Sequence, residues 1–129
     1  MRRLLAGVVL LALLGCAGPT ASPIQMTDPR ASAGAPKSCA ELGFSDVRCT
    51  FMTLRAAQAL ERAHPDADVA SRQFHEAGTP PAGHSPLPTS QVVAAVVVFT
   101  LDDGSRIGIA ILCPREPSGA DQVCDPRIN

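Results

Sequence analysis

Apolar positions are spread unevenly along these 129 residues. They gather in an N-terminal run at 4–14, a helically spaced stretch at 49–63, and two β-branched runs at 91–101 and 106–112. The last two flank Asp103-Gly104, a dipeptide favoured in two-residue hairpin turns because both central positions of a type I′ turn need positive φ. A hairpin with that turn sets Val98 opposite Ile109 and Phe99 opposite Gly108. One face then carries Val96, Val98, Ile107, Ile109 and Ile111, and the other Val97, Phe99, Leu101, Ala110 and Leu112, interrupted by Arg106. Both faces are apolar, whereas an antiparallel ribbon with one side in water alternates. One helix covers one face. The second must lie under residues 77–90 and the C-terminal segment, or under another molecule, which makes Val97, Phe99, Leu101, Ala110 and Leu112 candidate binding residues.

The helix comes from the stretch before Pro65. On a helical projection Cys49, Met52, Ala56, Ala59, Leu60 and Ala63 share one side, while Arg48, Arg55, Gln58 and Arg62 share another. Pro65 ends it, since a proline pushes the preceding residue out of helical geometry. Ser45 is a candidate N-cap. Phe51 and Leu54 fall near the polar side, however, so the expected helix starts near Thr53, with residues 47–51 extended. Residues 67–76 read as a strand. Residues 77–90 hold four prolines and two glycines and read as a long irregular excursion, often functional in a compact domain. The expected fold class is α+β: one helix packed on a small antiparallel sheet dominated by a β-hairpin at about residues 91–113, stapled by disulfides.

The run at 4–14 follows Arg2-Arg3 and is too short to cross a hydrocarbon core, which needs about 20 residues. Its length and flanks are those of a secretory signal. The ending Leu13-Leu14-Gly15-Cys16 resembles the lipobox of bacterial lipoproteins. That resemblance implies cleavage after Gly15, a diacylglycerol on Cys16, and a domain held at the cell membrane or outer membrane, facing periplasm or exterior. Two acyl chains give stable anchoring where one holds only marginally. An ordinary signal peptide cut near Ala17 or Ala21 is the alternative. Residues 16–37, rich in Ala, Pro, Ser and Gly, read as the lipidated cysteine and a flexible tether; residues 38–129 form the domain.

Charge and cysteines narrow the picture. The leader holds two of the 11 basic residues and none of the 12 acidic ones, so the processed chain has nine against twelve, a net −3. With no basic stripe, no Trp and no Tyr, nucleic acid is not an expected partner. Cys39, Cys49, Cys113 and Cys124 form an even set suited to an oxidising compartment. Four cysteines allow three pairings; Cys39–Cys49 and Cys113–Cys124 are favoured because each brackets a short turn-rich loop.

The helix from Ala56 into the turn at Ala67, followed by strands and the Asp102-Asp103-Gly104 turn, resembles PepSY-type modules. That resemblance implies a helix on a small antiparallel sheet and a role in protease inhibition or modulation in the envelope. No chemistry of its own stands out. His75-Glu76 opens an H-E-x-x-H pattern that fails at Thr79. His64, His75 and His84 match no ligand spacing, and Glu61, Asp66 and Asp68 make no calcium loop. Asp102 and Asp103 sit at a solvated hairpin tip. No metal or cofactor is expected. The reading is a non-enzymatic module that binds an envelope protein or peptide, with a dimeric structural accessory as the alternative.

Overall fold

A computed structural model describes residues 22–115 and the strand at 125–126. The elements are β1 (Ile24–Met26), β2 (Ala33–Pro36), α1 (Asp46–Ala63), β3 (Val69–Ala77), β4 (Gln91–Leu101), β5 (Arg106–Pro114) and β6 (Asp125–Pro126). The strand order is β1-β5-β4-β3-β2, with β6 also paired to β5. The α+β class and the dominant hairpin are as expected. The sheet is mixed rather than purely antiparallel, because β1 runs parallel to β5.

The helix starts earlier than its apolar pattern predicts. Ser45 caps it, its hydroxyl accepting from the Arg48 N–H, and Asp46 places negative charge in the first turn. Residues 47–51 are therefore helical, not extended. Phe51 and Leu54 stay on the outer side, where the Arg55 guanidinium lies 5.0 Å from the Phe51 ring centre. His64 closes the helix, its N–H donating to the Leu60 carbonyl, and Pro65 follows. Met52, Ala56, Ala59 and Leu60 form the buried stripe. Ahead of the helix, the Cys39–Cys49 disulfide forms as expected. The turn it closes is held by reciprocal bonds, Ser38 N–H to the Glu41 carboxylate and Glu41 N–H to the Ser38 hydroxyl. Cys113 is also disulfide-bonded. Cys124, its expected partner, lies outside the described residues, as do the signal segment and Cys16.

The hairpin forms with a different turn. Only Gly104 has positive φ, at 85°; Asp103 does not, so a type I′ turn is ruled out. Instead the Gly104 N–H donates to the Leu101 carbonyl and the Leu101 N–H to the Ser105 carbonyl. Asp102, Asp103 and Gly104 make a three-residue loop, a turn followed by a left-handed glycine. The register moves by one residue, so Val98 faces Gly108 and Phe99 faces Ile107. A one-residue slip exchanges the faces of one strand against the other. Val97, Phe99, Ile107, Ile109 and Ile111 therefore meet the helix, together with partly buried Leu101. Ala110 and Leu112 lie in the core of the opposite face. The five expected binding residues do not share a side.

The second face is covered by the chain itself, and mostly by a segment expected to be tether. Residues 24–36 contain β1 and β2 and are part of the sheet. Met26, Ala31, Leu87 and Val93 pack on Ala110 and Leu112. Gly108 provides the gap that admits the segment: a β-carbon there would meet Met26 Sδ at 2.5 Å, Ile24 Cγ2 at 3.0 Å and Val96 Cγ1 at 3.2 Å. Thr27 locks the position, its N–H and hydroxyl both donating to the Gly108 carbonyl.

Two predictions test this packing. Gly108→Val fills the gap and is expected to lower unfolding free energy by about 1–3 kcal/mol, the usual cost of overpacking. Gly104→Ala disturbs only the turn and should cost about 1–2 kcal/mol through its left-handed backbone. Urea denaturation of both variants measures each cost. The Cys39→Ser/Cys49→Ser pair should lose about 3 kcal/mol in the same assay without reductant, from the freed loop entropy of the unfolded chain.

Candidate functional site

Where residues 77–90 leave the sheet, they cross the turn between β1 and β2 and enclose a pocket. Its volume is about 390 Å³, within the roughly 300–1,000 Å³ of small-ligand sites. Ala31, Ser32 and Arg30 line one side, Pro80, Pro81, Pro86 and Leu87 another, and Gln91–Val93 with Arg115 the floor and rim.

Sequence explains why the excursion arches rather than pairs. Its prolines lack N–H donors and cannot extend a ladder. It is tied at both ends instead. The Gly78 N–H donates to the Ser32 carbonyl at 2.8 Å, and the Ser32 hydroxyl to the Thr79 carbonyl at 2.6 Å. At the far end the Gln91 N–H donates to the Pro88 carbonyl and the Arg115 N–H to the Ser90 carbonyl. Leu87 is its one half-buried side chain between these clamps, seated on the second face of the sheet.

Arg30 is set by a buried carboxylate. Asp28 is fully buried at the head of a tight turn, its carbonyl accepting from the Ala31 N–H. Its Oδ1 accepts from the Arg30 backbone N–H at 2.9 Å and from Nε at 3.0 Å, and its Oδ2 accepts from Nη2 at 2.9 Å. Asp28 bonding the backbone two residues on is the usual device of an Asp turn. The side-chain hydrogen bond to Asp28 also holds the Arg30 guanidinium above its ordinary pKa. Among the described residues Nη1 of Arg30 meets no acceptor. Arg115 is fixed similarly, its Nε donating to the Thr89 carbonyl at 2.7 Å, which leaves its two outer nitrogens without an acceptor among the described residues. His84 adds a third nitrogen donor group to the lining.

Among the described residues no acidic side chain lines the pocket. Glu76, next in sequence to Ala77 of the lining, is turned to Lys37, with an ion pair of 2.8 Å. The hydrogen bond from Lys37 keeps the Glu76 carboxyl below its usual range. Two guanidinium groups over an apolar floor suit binding and orienting an anion.

The other sequence-level candidates are scattered. His64 is the exposed helix cap, His84 lies in the excursion, and His75 is buried in β3. His75 Nδ1 bonds the Gly34 carbonyl at 2.9 Å, while Nε2 is buried without a partner among the described residues. Among the described residues no three His, Cys, Asp or Glu side chains gather as a metal site. Asp103 accepts from the Ser105 N–H and hydroxyl, which lowers its pKa and ties it to its own turn. Val97, Phe99, Ala110 and Leu112 are buried and Leu101 is partly so, which leaves no open apolar face on the hairpin. Sequence reasoning missed Asp28, Arg30 and Arg115. An acid two residues before an arginine across Pro29 was the available signal. Compared with family models, curated proteins and solved structures, the chain matches none.

The Asp28–Arg30 pair yields a prediction. Arg30→Ala takes the Arg30 ion pair away from a buried carboxylate, which costs more than removing both members of that pair. Urea denaturation should therefore find Arg30→Ala less stable than the Asp28→Ala/Arg30→Ala double variant. The reverse order would mean that Asp28 draws little from Arg30.

Proposed function

We propose that this chain is exported, lipidated on Cys16 and held at a cell-envelope membrane, where its folded domain is a non-enzymatic module that binds a protein or peptide. The arginine-lined pocket is the observation that carries the binding part of this reading. It offers fixed donors, an apolar wall and room for a short segment. The Cys39–Cys49 disulfide supports export, because such bonds persist in oxidising compartments.

Anchoring bears on how the domain would be used. Seven residues lie between Cys16 and Ile24 at the start of β1. As coil they span about 15 Å, shorter than a tether running to Lys37 would allow. The domain would ride close to the lipid surface. Among the described residues no helix is long and apolar enough to cross a membrane, so on this reading the lipid is the anchor.

The exposed side of α1 favours a second reading, self-association. Val47 and Leu54 are 81% and 58% exposed and sit two turns apart, with Phe51 between them. Sedimentation velocity decides this: a monomer at every concentration removes it, and a concentration-dependent dimer that Leu54→Glu abolishes supports it.

Expression in a bacterial host with labelled palmitate tests the anchor. The wild-type chain should carry label and fractionate with membranes, while Cys16→Ser should lose both. An unlabelled wild-type protein, processed and free in the medium, would overturn the proposal.

A further inference from the structure

Two guanidinium groups line the pocket, and each is held by a hydrogen bond within the protein while no acidic side chain among the described residues lines the same cavity. The Arg30 guanidinium is held by two bonds to one buried carboxylate, which also accepts from the Arg30 backbone N–H. Arg115 is held through Nε. A guanidinium fork matches the two oxygens of a planar anion, and prior immobilisation removes the entropy cost of ordering it. Pro80, Pro81, Pro86 and Leu87 line the same pocket, with Val93 on the sheet face that Leu87 packs against. This part of the lining has few donors for a second polar group and suits an apolar one.

We infer that the pocket is a carboxylate receptor whose occupant carries an apolar group next to the acid, as an apolar carboxy-terminal residue of a peptide or a free acyl amino acid does. The carboxylate meets Arg30 and Arg115, and the apolar group packs against Leu87 and Val93. This rests on the binding-module reading and gives that module a ligand class. Charge complementarity argues for the anion: among the described residues the lining has two arginines and no Asp or Glu. Size argues against a folded partner, since about 390 Å³ admits a side chain and a terminus but not a domain.

The test is an NMR titration of the purified full chain. Its probes are N-acetyl-Ala-Ala-Leu as free acid, the same peptide as C-terminal amide, N-acetyl-leucine, and inorganic phosphate. The free-acid peptide is expected to shift the Arg30 and Arg115 Nε–H signals and the Ala31 and Val93 amides. The amide should bind at least about tenfold more weakly, as loss of a charge-assisted pair predicts. Arg115→Gln should weaken the free acid to a similar extent, whereas Lys37→Gln, outside the pocket, should not. Arg115 is exposed, so its replacement leaves the fold intact and the result readable even if Arg30 variants fold poorly. N-acetyl-leucine binding as tightly as the peptide supports a small acid as the source, and weaker binding supports a peptide terminus. Equal binding of acid and amide overturns the carboxylate assignment while leaving a peptide-binding module. Tighter binding of phosphate also overturns it. No shift from any probe overturns the inference and removes the pocket as support for the binding reading.

Discussion

A hairpin that is apolar on both sides cannot stand in water, and that constraint organises the whole domain. Val97, Phe99, Ile107, Ile109 and Ile111 face one way, and Val96, Val98, Ala110 and Leu112 the other. Each buried aliphatic side chain contributes about 1.5–3 kcal/mol relative to exposure, so neither side can be left open in a chain this small. The α1 stripe of Met52, Ala56, Ala59 and Leu60 covers the first. Ile24, Met26, Ala31 and Leu87 cover the second. Gly108 makes the second solution possible, because the missing β-carbon lets Met26 and Ile24 sit directly on the ribbon.

The candidate site follows from how that cover is attached. A strand laid parallel beside β5 must turn back to reach β2 at the other edge of the sheet. Asp28 and Arg30 occupy that turn, and burying it buries the Asp28 carboxylate. A buried carboxylate needs a partner, and Arg30 supplies one with part of its fork to spare. The excursion then closes over the same turn through Ser32 and Leu87. Fold and pocket are thus one arrangement: the contacts that shield the sheet also fix the arginine.

Some of this was readable in the residues and some was not. The helix, its stop at Pro65, the strand after it, the hairpin and the Cys39–Cys49 bridge follow from local patterns that tertiary context does not override. The turn at Asp103-Gly104 was misassigned because that dipeptide serves two loops, and only the backbone angle of Asp103 separates them. That single residue of register redistributed Val97, Phe99, Leu101, Ala110 and Leu112 between two faces. The apolar pattern places the helix onset too late because it assumes that Phe51 and Leu54 are buried, whereas Arg55 stacks on one and solvent meets the other. The N-terminal cover was hardest to see. Ile24 and Met26 carry no period among Ala, Pro, Ser and Gly, and the demand for a cover was visible only on its distant partner. Asp28, Arg30 and Arg115 are 87 residues apart at the extremes, so no local spacing announces them.

Hydrogen exchange resolved to single amides tests the central claim most directly. If residues 24–27 are part of the fold, the Thr27 amide, donated to Gly108, should exchange as slowly as the interior amides of β4 and β5. Exchange of Thr27 at free-peptide rates, with β4 and β5 still protected, would show that the segment does not cover the sheet and would contradict the account.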